Sequence, residues 1–319
     1  MYLKENAMKY ERWLLTWLEN YVKPAVKRRT YEKYREITAL HLVNELGEYE
    51  LDALTPARLQ NFTVGLLSCG NLKNSGGLHA ATVNCIITVI QHSLKTAYAV
   101  GEVNAYTGDR IQRPAVRKKE INCFTIDEQK KIERAVFSKN GTKMYGVVLC
   151  MYTGLRIGEL LALEKCDVDM DKRTIRVNKS CRDCKDGKGR FTRCVDTPKT
   201  PSSIRLIPIP AQLMGRVKEL LTRSEGDYLI NSNGENPLAV RSYQRSFELL
   251  LKKLGIEHRG FHALRHTFAT RALECGMDVK TLSEILGHKN PSTTLLHYAH
   301  SLDEHKNAMM NRVGELFGN

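Results

Sequence analysis

Four short segments bring together side chains with reactive potential. In Thr153-Gly-Leu-Arg156-Ile-Gly-Glu159, a glycine-broken turn puts Arg156 at a helix start with the Glu159 carboxylate three residues on, at ion-pair spacing. Lys199 sits between Pro198 and Pro201, in a turn just before the alternating stretch Ser203-Ile-Arg-Leu-Ile-Pro-Ile-Pro. There its ammonium can reach whatever binds at a sheet edge. In His262-Ala-Leu-Arg265-His266, spacings of three and four put His262, Arg265 and His266 on one helical face. Leu286-Gly287-His288 reads as a helix ended by its C′ glycine, and Ser292 can cap a further helix that carries Tyr298.

Each segment also has an ordinary structural reading. Arg156 and Glu159 can be a surface ion pair, Lys199 a solvated hairpin lysine, and Tyr298 half-buried packing on an amphipathic helix. The His-x-x-x-His pair suggests zinc, but the glutamate that serves as base in zinc proteases is absent, and Arg265 beside a metal would oppose it. A phosphate-facing arrangement suits the set better, with at least one of the two histidines a packed, hydrogen-bonded core residue. Cys181-x-x-Cys184, with Cys194 and Cys166, invites a zinc-knuckle reading, but it is one pair with stragglers rather than two pairs.

Composition narrows the partner. The 319 residues carry 49 Lys and Arg against 35 Asp and Glu, a net charge of +14, which points to a polyanion. No apolar run approaches bilayer length, the first fifteen residues lack a signal-peptide core, and the mean hydropathy is −0.37. We therefore expect a cytoplasmic protein without a membrane partner, its nine cysteines reduced. Hydrophobic residues at 42% and charged ones at 26% exclude a largely disordered chain.

The length predicts two domains. Residues 8–22 put Trp13, Leu14, Trp17, Leu18 and Tyr21 on one helical stripe that Pro24 stops. A basic stretch at 23–35 follows, and Thr30 can cap a helix carrying Tyr31, Tyr34, Ile37, Leu40 and Leu42. Thr55-Pro56 opens a helix through Leu67, and 78–100 is a fourth, so residues 1–107 read as a helical bundle. Residues 108–120 read as an exposed basic linker. From 121 to 319 the pattern is mixed: a helix begins at Thr125, strands lie at 174–178 and 203–210, and helices return from Arg241. The Gly- and Lys-rich excursion between the strands belongs to a region, 172–205, with eleven Lys and Arg against three Asp, a net +8 around Lys199. The fold class is mainly α with a small antiparallel sheet, that is, α+β.

Arg156, Lys199, His262-x-x-Arg265, Gly287-His288 and Tyr298, in that order, resemble the tyrosine recombinases, or phage-type integrases, and the motifs TGLRIGE, TPKTPSS, RLIPIP, HALRH and LGHKNPSTT are most like those of conjugative transposons. The resemblance covers the whole chain. It implies a core-binding domain (1–107), a basic linker and a catalytic domain, forming a C-shaped clamp round DNA. It implies Tyr298 as nucleophile giving a 3′-phosphotyrosyl link, Arg156 and Arg265 on the scissile phosphate, His262 and His288 assisting there, and Lys199 protonating the leaving 5′-oxygen. His297 and His300, which flank the tyrosine, are expected to be structural. It further implies double-stranded DNA as partner, a homotetramer in the synaptic complex, a tail (302–319) that docks on a neighbouring protomer, and neither metal nor ATP as cofactor. The family's extra arm-binding domain has no room before residue 8.

Elementary chemistry asks for the same set. A pentacoordinate phosphorane gathers negative charge that two guanidiniums answer with bidentate donors. A phenol with a pKa near about 10 needs a positive field and a proton acceptor, and the alkoxide leaving group needs a proton. A type IB topoisomerase shares this pocket but acts as a monomer without paired sites. A DNA-binding regulator would not need all six side chains. Groove readers are expected in 30–42, 78–100 and 239–248.

Overall fold

Trp13, Leu14, Trp17 and Leu18 recur at helical spacing, and in the computed structural model all four are buried along α1 (Tyr10–Trp17) and its continuation. The structure describes residues 8–74, 76–116, 122–138, 141–185, 190–197, 204–230, 236–288 and, near the C-terminus, 310–311, 313–315 and 317. The chain divides into two units, Met1–Lys119 and Glu120–Asn319.

In the first unit α1 runs on through a π-helical turn, Leu18–Val22. The wider turn advances the apolar face by one residue, so Val22 is 5% exposed and the expected Tyr21 is 40% exposed. The next rod joins α2 (Arg28–Ile37), a second π turn (Thr38–Leu42) and α3 (Val43–Leu46). Here Leu42 is buried and Leu40 is not. This rod starts at Arg28 rather than after a Thr30 cap, its first turn tied by the Arg28–Glu32 ion pair at 2.8 Å. Thr55 caps α4 (Pro56–Cys69), its Oγ1 accepting from the Arg58 amide at 3.3 Å. In α5 (Ala80–Ala99), Val83, Ile86, Ile87, Ile90 and Leu94 are buried. It also receives the polar ends of the α1 aromatics: Trp13 donates to the Ser93 carbonyl at 3.1 Å, and Tyr10 bonds the Ser93 hydroxyl at 2.7 Å.

Residues 108–113, read from sequence as exposed linker, are held by this unit. Ile111 is buried in its core, Gln91 donates to the Gly108 carbonyl, and Arg113 bonds Asn84, Thr88 and Gln91 of α5. The periodicity is lost there because the chain is irregular, not because it is free.

The second unit opens with α6 (Ile126–Phe137), which Thr125 and Glu128 close with a reciprocal capping box. Then come α7 (Tyr145–Thr153), nearly all buried, and α8 (Ile157–Leu161). Strands β1 (Val168–Asp169), β2 (Thr174–Val177) and β5 (Arg205–Pro208) form an antiparallel sheet in the order β1-β2-β5, with Ile175 opposite Ile207. The excursion is more ordered than the sequence reading allowed. It forms a second sheet, a hairpin of β3 (Ser180–Lys185) and β4 (Phe191–Asp196). Helices α9 (Met214–Arg223), α10 (Val240–Lys253), α11 (His262–Glu274) and α12 (Val279–Leu286) complete the unit. One core joins Phe124, Leu160, Ile207, Phe247 and Leu264, and a smaller cluster joins α11 to α12.

The cysteines differ from the expected all-reduced state. Cys184 and Cys194 form a disulfide across the hairpin. The register sets Cys184 opposite Thr192, two residues from Cys194 on the same face, with the two Cα atoms 6.2 Å apart, a span that a disulfide bridges. Cys181 and Cys184 are three apart on a strand and point to opposite faces, so the Cys-x-x-Cys pair does not converge as a zinc knuckle requires. Among the described residues no helix is long and apolar enough to cross a membrane. In the tail, Met310, Val313 and Phe317 are exposed.

Candidate active site

Arg156 is the N-cap residue of α8, reached through a left-handed turn at Gly154 (φ 65°) that ends α7. A side chain at Gly154 would be strained by that φ and would strike Phe268 and Leu286, so the sharp turn into Arg156 requires glycine. Glu159 then closes back on the turn: its Oε2 accepts from the Arg156 amide at 2.9 Å and its Oε1 from Arg156 Nη1 at 2.8 Å. The ion pair foreseen from spacing is therefore present, with Arg156 about one-third exposed and Glu159 buried.

Glu159 has a second partner that spacing did not reveal. Arg205, the first residue of β5, forks onto the same carboxylate, Nη1 to Oε1 at 3.1 Å and Nη2 to Oε2 at 2.9 Å. Burial alone would raise the Glu159 pKa, but the hydrogen bonds and charge of Arg205, then those of Arg156, override it and hold the carboxyl at about 2. One carboxylate thus serves two guanidiniums, leaving the trio one positive charge in excess. The available signal was strand alternation: in β5, Arg205 shares the inward face with Ile207, whereas Leu206 faces out.

Arg265 lies one turn into α11 and is only 2% exposed. It donates to the Gly154 carbonyl at 2.8 Å and to the Leu286 carbonyl at 2.7 Å, and its Nη2 meets His288 Nε2 at 2.9 Å. A guanidinium only donates, so the His288 Nε2 accepts. Gly287 (φ 65°) ends α12 in the left-handed conformation read from sequence, with the His288 amide returning to the Ser283 carbonyl. The last carbonyls of α12 are answered by two guanidiniums, since Arg205 Nε donates to the Ile285 carbonyl.

His262 and His266 sit in edge-to-face contact, ring centroids 4.6 Å apart, at the start of α11. His262 is exposed and His266 half-buried, so the deeply buried member of that face is Arg265, not a histidine. Arg265 lies at one edge of that face, about 60° round the helix from His262, and that edge is the one turned to the core. The structure therefore joins Arg156, Arg265 and His288 in one bonded network, with His262 at the first residue of the helix that carries Arg265. Lys199, Tyr298, Ser292, His297 and His300 lie outside the described residues.

Both units have counterparts among known proteins. Residues 122–305 match the phage integrase family, and residues 9–67 match the phage integrase N-terminal SAM-like domain. The chain is 29% identical to a XerC-like tyrosine recombinase of Caldanaerobacter subterraneus subsp. tengcongensis, covering 95% of this chain and 82% of that protein. It is 25% identical to the transposase of transposon Tn916 of Enterococcus faecalis, over 93% of this chain and 76% of the other. In structure it is similar to the Tn1549 transposon integrase solved with a circular intermediate DNA, with a TM-score of 0.80 at 22% identity, over 96% of this chain and 99% of that one. Two domain matches in the right order, and a bonded network on the same motifs that carried the resemblance, lead to one conclusion: the chain belongs to the phage integrase family, the tyrosine recombinases.

Proposed function

We propose that Tyr298 is the nucleophile of a site-specific recombinase that integrates and excises a mobile element, acting on double-stranded DNA. The observation that carries this reading is the network in which Arg156, Arg265 and His288 are fixed by two left-handed glycine turns and buried carbonyls. The likeness to a Tn916 transposase and to a transposon integrase supports the mobile-element role.

The Tyr298 phenol oxygen attacks the scissile phosphorus and the bond to the 5′-oxygen breaks. A 3′-phosphotyrosyl ester and a free 5′-hydroxyl result. Arg156 and Arg265 stabilise the charge gathered on the non-bridging oxygens, an interaction stronger in the transition state than in the ground state. His262 and His288 assist by hydrogen bonding and proton transfer, and Lys199 protonates the leaving oxygen. Attack by a 5′-hydroxyl from the other duplex reverses the chemistry. Because the phosphotyrosyl ester conserves the bond energy, rejoining needs no ATP, and the clustered cations do at the phosphate what a metal ion does in other nucleases. Two duplexes each cut on both strands need four tyrosines, which supports a tetramer as the working assembly.

The test is Tyr298→Phe on a nicked suicide substrate that traps the covalent complex. Loss of the trapped complex with DNA binding retained is the expected result. Continued covalent capture by the variant overturns the assignment.

A further inference from the structure

Arg205 stands out because the proposed chemistry gives it no part, yet it is built into the site. It is an arginine on the inward face of a strand whose neighbour, Leu206, is 61% exposed, while Arg205 itself is 9% exposed. Among the described residues, it reaches groups that belong to the network: the Glu159 carboxylate by a two-pronged contact, the Ile285 carbonyl through Nε, and the surface beneath Gly287. A Cβ at Gly287 would come within 3.1–3.3 Å of its guanidinium and Cδ. Arg205 thereby joins three elements: α8, whose first turn carries Arg156; β5, which follows the segment holding Lys199; and the end of α12, which carries His288.

We infer that Arg205 is a positioning residue for strand cleavage, holding Glu159 so that the carboxylate orients Arg156 toward the phosphate without monopolising it. The physical reason is competition. A buried carboxylate with one cation binds it tightly, and without Arg205 the Arg156 fork is drawn fully onto Glu159. With Arg205 supplying two of the hydrogen bonds and one full charge, Arg156 has donors left for a ligand. The fork also fixes Glu159 geometrically, and the Nε bond keeps the His288 turn against it. This rests on the reading of Arg156 and His288 given above.

The test measures single-turnover covalent capture on the suicide duplex at saturating protein, with affinity for the same duplex measured separately. Arg205→Met is expected to slow capture about 100-fold, the usual cost of a misplacement on the order of 1 Å, with affinity within about 3-fold of wild type. Arg205→Lys, which keeps the charge but not the fork, is expected to fall between and guards against a folding defect in the first variant. Two further results separate this role from its alternatives, the first from an effect independent of Glu159 and the second from one on the proton donor. In a Glu159→Gln background, Arg205→Met is expected to add less than about 3-fold, because the carboxylate through which it acts is gone. On a duplex with a 5′-bridging sulfur, whose leaving group needs no proton, the Arg205→Met defect is expected to persist.

Capture by both single variants within about 3-fold of wild type overturns the proposal. So does a multiplicative loss in the Glu159→Gln background, or rescue by the bridging sulfur, which would place the effect on the proton donor. Tyr298→Phe run in parallel keeps the two readings apart: if it still captures DNA the nucleophile assignment fails, whereas its inactivity beside unaffected Arg205 variants sinks only the positioning role.

Discussion

Replacing Glu159 by glutamine keeps the shape of the side chain and removes the one charge that two guanidiniums share. The wild-type carboxyl titrates at about 2 in the folded protein against 4.5 ordinarily, a difference worth about 3 kcal/mol of folding stability at neutral pH. Its sign is that of a depressed acid: the contribution is complete above pH 4.5 and is lost as pH falls toward 2. In Glu159→Gln that titration vanishes, and Arg205, with its side chain 6% exposed, is left without its carboxylate. Stranding one partner of a buried pair costs about 3–5 kcal/mol, so the variant is destabilised at pH 7 and loses less on acidification. Trp13 and Trp17 are the only tryptophans and both lie in the first unit, so fluorescence reports that unit alone. Amide hydrogen exchange in α8, α11 and α12 reports the second. We expect protection there to fall by about 3 kcal/mol or more at pH 7, with the wild-type–variant gap closing between pH 4.5 and 2, while the tryptophan transition stays put. Protection within about 1 kcal/mol of wild type at pH 7, or parallel acid profiles, would refute the shared-carboxylate reasoning.

Other expectations concern the turn and the hairpin. Gly287→Ala forces a side chain into a left-handed backbone at a position where its Cβ meets Arg205. We expect a loss of about 1–2 kcal/mol from the backbone alone, read by thermal unfolding, together with slower covalent capture on the suicide substrate. Alkylation of the denatured, unreduced protein is expected to label seven of nine cysteines by mass spectrometry, and all nine after reduction. Nine labelled without reductant would place Cys184 and Cys194 in the thiol state.

What was legible in the sequence is what neighbours along the chain decide. Thr55-Pro56, Thr125 with Glu128, and Gly287 announce helix ends because the bonds they make are closed within a few residues. The Arg156–Glu159 pair was readable for the same reason. The π turns were not, since a one-residue widening of a helix leaves no local signature and shows only as the exchange of Tyr21 for Val22 at the core. The Cys184–Cys194 bond depends on hairpin register, which two strands without a clean apolar–polar alternation leave undetermined. Arg265 was read as a phosphate contact and found almost wholly buried, its donors shared with carbonyls of two other segments.

The cost of that burial bears on what the network is for. A buried arginine–carboxylate pair gains little over well-packed apolar side chains of similar volume, because desolvating both ions offsets their attraction. Strand β5 holds an alternative in its own sequence: Leu206 points outward while Arg205 points in, and the inward neighbour Ile207 shows that the interior there accepts an aliphatic chain. Stability alone would favour the leucine inside. The arrangement found instead fixes two guanidiniums on one carboxylate and two more bonds on the carbonyls that end α12, at the point where the chain turns into His288. Charge-dense and expensive, it has the properties of a site organised in advance for an anion whose charge grows during reaction, and the phosphate that we propose Tyr298 attacks is such an anion.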